Sequence, residues 1–425
     1  MEIEKRLVVI GGGAAGVFAA IRAREIGLSV TLLERSSSLL HKVSLSGGGR
    51  CNLTNATSDL RLFVQSYPRG EQELFSSFSR FSSQDLMEWF ETRGLSLKVE
   101  SGGRVFPKSN RSKSVIDCLV RELERFSVDI RTQQKVISIT PTKRGFAVAL
   151  EKEEILECDF LLLATGSSSE GYRLAASLGH VIETPVPSLF SFAIDSFSLQ
   201  ELSGISIQDV LVSLTKTTFQ EEGALLITHF GFSGPSILNL SSRAALFLYK
   251  NSYRSELVIS WVGKMKREEI LYHLQKQKRN NPLKRASADL LFSLPQRLWK
   301  KLLEGVSISS HCTWANLSEK SLLALVEKLK RDSYQIKNKH SGAEKIGSSE
   351  FVVCGGVCRK EIDFATFESR IHPRLYFAGE ILDVDGVTGG FNLQHAWSSG
   401  WIAASAMAMI FQVLCVYLKF DFRLS

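Results

Sequence analysis

The first residues whose spacing carries chemistry are Gly11, Gly13 and Gly16, in the string GGGAAG at 11–16. They fit G-x-G-x-x-G, and each glycine has its own task. Gly11 permits a tight turn, Gly13 lets backbone approach a pyrophosphate, and Gly16 lets a helix press closely on a strand. Ala14 and Ala15 open that helix, where free N–H groups and the positive dipole end favour phosphate. Glu34 follows Gly16 by 18 residues, a spacing at which its carboxylate can accept from ribose hydroxyls. The chemistry is that of holding a dinucleotide. An ordinary strand–loop–helix turn is the bland alternative, and the register of strand, helix, second strand and acid speaks against it.

The elements that must position these residues are legible around them. Residues 7–10 form a short apolar run that reads as a strand, and 17–25 read as a helix with small residues facing a sheet. Gly27 stops that helix, and 29–33 form a second strand ending at Glu34. The string FLLLATG at 160–166 is a third apolar strand, ending in Ala164, Thr165 and Gly166. Such strand ends lie at the carboxyl edge of a parallel sheet, beside the nucleotide crevice. LYFAGE at 375–380 is a further strand, carrying Gly379 and Glu380 at its end. Thr388, Gly389, Gly390, Phe391 and Asn392 then open the last helix.

Three strings decide which dinucleotide is meant: LHKVSLSGGGRCNLTN at 40–55, GALLITHFGFSGPSILNLS at 223–241, and YFAGEILDVDGVTGGFNLQHAW at 376–397. Together they closely resemble one FAD-binding oxidoreductase family. It includes aminoacetone-oxidase-like proteins, bile-acid enone reductases and ribosomal RNA dihydrouridine synthases. The resemblance runs from Leu7 to about Ala408, and is loose over about 264–345. It implies bound FAD, with Lys42, Ser46, Gly47, Gly48 and Asn52 along the flavin and Val136 added to the binding set. Glu380 or Asp385 would accept from ribityl hydroxyls. A helix N-terminus directed at the pyrimidine of the flavin would stabilise the negative charge of the reduced ring.

A bound flavin carries the hydride, so the protein must place the substrate and exchange a proton. Cys51 and His229 are the candidates for that proton. Cys51 reads equally as a small packing residue, and His229 as a structural histidine. By the resemblance, His229 lies in an inserted domain on the side facing the dinucleotide domain. His395 reads as structural. Arg104 could bind an anionic substrate. No second G-x-G-x-x-G exists, so NAD(P)H would have to visit the substrate site, if it is the electron donor.

The fingerprint stands at the start and the closing flavin segment at the end, so the dinucleotide domain is expected to be discontinuous. The expected class is α/β. A Rossmann-like FAD domain spans 1–188 and 352–425, with a β-barrel-like or sandwich insert at 189–262 and 332–351. A basic helical subdomain fills 263–331. Residues 264–301 hold eleven lysines and arginines against three acids, an excess of +8. The whole chain of 425 residues carries the same net charge, +8. A solvated face and an anionic partner both explain such a run. Ribosomal RNA is the expected partner, reduced at a uridine C=C bond to dihydrouridine. The alternatives are a small-molecule amine oxidase or enone reductase, and a non-catalytic FAD-bound RNA-binding protein.

Composition excludes other classes. Charged residues at 23% and hydrophobic residues at 44% are ordinary for a globular protein and exclude a disordered chain. Seven cysteines without a CxxC pair favour neither a disulfide framework nor zinc, so no metal and a reducing cytoplasm are expected. The apolar run 401–417 is expected to be a buried final helix, not a membrane span.

Overall fold

The computed structural model describes residues 5–340 and 352–421, with side chains placed up to Ala408 in the last segment. The chain divides into two compact units, Met1–Pro185 with Val352–Ser425, and Val186–Phe351.

The first unit is built on a sheet of seven strands. Its order is Ile362–Asp363, Glu368–Ser369, Leu375–Phe377, Phe160–Leu163, Arg6–Ile10, Ser29–Leu33, Asp129–Arg131. The five strands from Leu375–Phe377 to Asp129–Arg131 run parallel, and the remaining two pair antiparallel at one edge. Leu7–Ile10 and Phe160–Leu163 are buried at every position, as parallel strands covered on both faces must be. The return of the chain at Leu375 beside Phe160 makes this sheet discontinuous in sequence.

The opening helix Ala14–Glu25 lies under the closing helix Phe391–Asp421. Their approach is set by small residues: a Cβ on Gly400 would sit 2.4 Å from the carbonyl oxygen of Ala15. Phe18 then fills the space beside them, its ring 4.6 Å from Trp89 and 5.5 Å from Trp397. Ile402 to Met407 continue this buried face apart from Ser405. The apolar stretch 409–420 lies beyond the described side chains. No helix of the described residues is long and apolar enough to cross a membrane.

The second unit is a closed antiparallel barrel. Its order is Ser191–Ile194, Gly231–Ser233, Gln220–Ile227, Ser206–Leu214, Ser255–Ser260, Asp332–His340, which returns to Ser191–Ile194. Helices Arg267–Asn280, Gln296–Glu304 and Glu319–Lys330 belong to the same unit. Ser318 caps the third by accepting from Ser321 N–H. The expected separate helical subdomain differs from what is found. Leu298, Leu302 and Leu325 share one apolar core with Phe192, Val212 and Ile259 of the barrel. Three helices of this size cannot bury all their apolar faces alone, so they share the barrel's core.

One buried group makes the first unit sensitive to acid. His395 on the closing helix is wholly buried, and burial pushes its pKa down from 6.5 to about 4. The folded protein therefore holds a neutral ring, while the unfolded chain protonates near 6.5. Stability is full above pH 6.5 and falls as the pH drops towards 4, by about 3 kcal/mol for this group. In urea unfolding at pH 7.5 and 4.5, the wild type is expected to lose more stability than His395→Gln. Equal losses would assign the acid sensitivity elsewhere.

Candidate functional site

The carboxyl ends of the central strands bring the expected residues to one edge. Gly11 follows Ile10, Glu34 follows Leu33, Ala164 follows Leu163, and Gly379 lies two residues after Phe377. Gly11 has φ +113°, and a Cβ there would meet the Ala164 carbonyl oxygen at 2.4 Å. A Cβ on Gly16 would lie 1.9 Å from the carbonyl oxygen of Gly11. These two glycines are required by the protein's own backbone. Gly13 is not: a Cβ there meets nothing within 4 Å. Gly13 also stands as the N-cap of the opening helix with no side-chain cap, so Ala14 and Ala15 begin a helix end open to an anion.

Glu34 is already engaged on one side. Its carboxylate accepts from Gly12 N–H and from Ser36 N–H, both at 2.8 Å. Carboxylate oxygens have further lone pairs for a ribose. Gly12 was not singled out by its sequence, yet it is packed against Leu39 and Glu34. The segment leading to buried Val136 runs alongside, with Gln134 N–H donating to the Glu34 carbonyl at 2.9 Å.

The second half of the edge is polar. Lys42 donates to Glu380 at 2.6 Å and to Ser167 at 2.9 Å. Glu380 also accepts from Val353 N–H at 3.0 Å. Gly166 has φ +60° and lies beside Glu380. Among the described residues the buried hydroxyls of Thr165 and Tyr172 have no hydrogen-bond partner. Buried polar atoms without partners are costly, and a polar ligand relieves them. The open face of Gly13, the uncapped helix end and these hydroxyls fit a bound dinucleotide.

The two most specific strings interlock. Residues 46–49 are the end of a helix, His41–Gly49, that unwinds at Ser46 and continues through Gly47 and Gly48 at φ +57° and +68°. With its amide turned to satisfy both atoms, Asn52 donates to the Thr54 and Val105 carbonyls and accepts from Gly390 N–H at 3.0 Å. Thr54 donates to Gln394 at 2.6 Å, and Asn55 donates to the Gly389 carbonyl at 3.2 Å. A Cβ on Gly390 would lie 2.4 Å from the Thr54 oxygen.

Other side chains of the closing segment serve the loop itself. Asp385 is wholly buried and paired with Arg69 through both oxygens. Asn392 exchanges two hydrogen bonds with the Gly386 backbone at 2.8 and 2.9 Å. Phe391 packs on Phe63 and Tyr67, whose hydroxyl donates to the Phe391 carbonyl at 2.7 Å. Thr388 lies in the same loop, just before Gly389. Glu380 thus stays at the polar edge with Lys42, while Asp385 is occupied by an arginine that no local pattern marked.

The proton candidates differ in environment. Cys51 has φ +60° and is fully buried, and its N–H donates to the Ser46 carbonyl at 2.9 Å. Burial pushes its thiol up to about 12, against a smaller opposing hydrogen bond from Ser46. His229 is exposed, in the turn between Gln220–Ile227 and Gly231–Ser233. Arg104 donates to the Ser101 carbonyl at 3.0 Å. Among the described residues no group of three His, Cys, Asp or Glu could hold a metal ion.

Two predictions follow from this geometry. Gly13→Val is expected to remove FAD, read as loss of visible flavin absorbance, while circular dichroism of the apoprotein is unchanged. Gly16→Val should instead fail to fold, and Glu34→Ala should weaken FAD by about 1.5–3 kcal/mol. Full flavin in Gly13→Val would overturn the assignment of this loop. Secondly, iodoacetamide at pH 8 should label the partly exposed Cys312 and Cys358 well before Cys51, because the thiolate is the reactive form. Mass spectrometry showing Cys51 labelled first would contradict its burial.

Comparison with known proteins agrees with this geometry. Residues 5–406 match the HI0933-like protein Rossmann domain. The chain is 29% identical over 418 residues to a 3-dehydro-bile acid delta(4,6)-reductase of Clostridium scindens, covering 95% of this chain and 99% of that protein. It is also 29% identical over 408 residues to a ribosomal RNA dihydrouridine synthase of Escherichia coli, covering 93% and 96%. A 3-ketosteroid-delta4-(5alpha)-dehydrogenase structure from Rhodococcus jostii has a TM-score of 0.50 at 13% identity, covering 94% and 97%. An open-form flavocytochrome c3 fumarate reductase gives 0.50 at 14% identity, covering 96% and 78%. These two share the fold. With the glycine loop, its acid and the interlocked flavin strings in place, the chain belongs to the HI0933-like family of FAD-dependent oxidoreductases.

Proposed function

We propose that this enzyme reduces the C=C bond of a uridine in ribosomal RNA to dihydrouridine, in the cytoplasm. Bound FAD supplies hydride transfer through its reactive ring nitrogen. The residues that would hold it are Gly11 to Gly16 and Glu34 at the adenosine end, and Lys42, Ser46 to Gly48, Asn52, Glu380 and Gly389 to Gly390 towards the flavin. Hydride to one carbon requires a proton on the other. Cys51 is neutral throughout the working pH range, so it keeps a proton to give, although its high pKa makes it a weak acid. His229, exposed and in a turn, is the other candidate. NAD(P)H as electron donor belongs to the same proposal.

The observation that carries the RNA reading is the charge of the second unit. Its basic excess lies on exposed helices, where several cations are left without a protein partner. The likeness to two ribosomal RNA dihydrouridine synthases supports it. A second reading, reduction of a small enone, is supported by the equal likeness to a bile-acid reductase. The two share a chemistry, addition of hydrogen across a C=C bond conjugated to a carbonyl. Mass-spectrometric mapping of ribosomal RNA from cells with and without the gene separates them. The expected result is loss of one dihydrouridine from the deletion strain. Unchanged dihydrouridine would leave the small-enone reading in its place.

A further inference from the structure

The basic run does not present all its charge to solvent. Lys264 pairs with Glu222, Arg267 with Glu327, Lys284 with Asp289, and Lys301 with Glu201. Lys278 donates to the Leu317 carbonyl, and Arg297 to the Glu201 carbonyl. Among the described residues, Lys276, Arg279, Arg285 and Lys300 make no side-chain hydrogen bond or ion pair, and all four are exposed. Two of them share a ridge of the helix Arg267–Asn280 with an aromatic ring. Tyr272, Lys276 and Arg279 stand at i, i+4 and i+7, which places them on one face along about 10 Å of helix.

That ridge is an unusual surface. Tyr272 is 54% exposed, so its ring offers a free flat face. The neighbouring His273 meets it edge-on, 5.8 Å between centroids. On its other side the ridge borders a groove of about 600 Å³, lined by Gln275, Lys278, Arg279, Pro282, Glu319 and Leu322 among others. Lys278, which lines the groove, is fixed by donating to the Leu317 carbonyl. A face that only solvates a helix needs charge. It has no use for an uncovered tyrosine in line with two unpaired cations.

We propose that Tyr272, Lys276 and Arg279, beside this groove, form a binding site for single-stranded RNA. An unpaired base stacks on Tyr272, and adjoining phosphates pair with Lys276 and Arg279. Stacking and backbone charge together are how proteins hold single strands. Bases in a duplex present no free face to such a ring. The inference rests on the RNA reading given above and adds to it which residues make the contact and which form of RNA they take.

The test uses the full, FAD-loaded protein and a short labelled uridine-rich oligoribonucleotide, followed by fluorescence anisotropy over a salt series. The same strand in a perfect duplex is the comparison. Tyr272→Ala and the double variant Lys276→Gln/Arg279→Gln are each expected to bind the single strand about tenfold more weakly. The double variant should also flatten the salt slope by about 1.4. FAD content and thermal unfolding should match the wild type, and Lys300→Gln should bind almost normally. Equal binding of duplex and single strand by the wild type overturns the stacking. Variants that bind as the wild type does, while a deletion strain loses dihydrouridine, overturn the ridge and leave the RNA reading standing. Ribosomal RNA unchanged by deletion, with no binding by the wild type, overturns both.

Discussion

Everything in the first unit depends on backbone touching backbone where the two ends of the chain meet. Gly16 lies so close to Gly11 that no side chain fits between them. Gly400 presses on Ala15 in the same way. The opening helix is therefore gripped from below by its own strand and from above by the closing helix. Its free N-terminus cannot shift relative to the sheet edge. A phosphate site made of N–H groups needs that rigidity, because the donors have no side chain that could adjust. Gly13 is the exception that shows the design: it alone of the three fingerprint glycines is left without a protein atom within 4 Å of its missing Cβ.

The same constraint explains why the flavin strings interlock. The closing helix starts from two glycines at φ +133° and +99°, a conformation that other residues adopt at a cost. Asn52, Thr54 and Asn55 hold that start by contacts across more than 330 residues of sequence. The indole of Trp397 adds a fourth contact, donating to the Leu53 carbonyl at 3.2 Å. The polar residues at 50–55 are thus one half of a clamp.

What could be read from sequence was whatever local chemistry fixes. The strand Ser29–Leu33 follows from its apolar run, and the helix ending at Glu25 from its small residues and the stop at Gly27. The glycine fingerprint was legible because its three glycines lie within six residues, although the close neighbour of Gly11 is Ala164, far along the chain. Arg69 was not, since its meaning comes entirely from Asp385, 316 positions away. Nor was the closure of the barrel, where Ser191–Ile194 must find Asp332–His340. That the helices of 263–331 share the barrel's core was hidden for a related reason. Helical spacing tells which face is apolar, and it does not tell whose core receives that face.

Charge shows the same limit most sharply. Counted along the chain, 264–301 holds eleven lysines and arginines against three acids, yet many of these cations are paired, some within the tract and some with Glu201, Glu222 and Glu327 outside it. Asp289 is buried and accepts from Lys284, Gln277 and the Trp314 indole. Asp332 likewise collects Lys328, Tyr334 and Trp261 at 2.6 to 2.9 Å. A buried carboxylate is tolerable only when its lone pairs are filled in this way. Each such acid engages a lysine and turns it into a tie within the fold. The surface potential of the second unit is therefore set by the cations that fold leaves over, and those are fewer and more localised than the sequence implies. Screening by salt weakens exposed cations far more than these buried ties. Salt should thus act on what the unit binds before it acts on how the unit is held together.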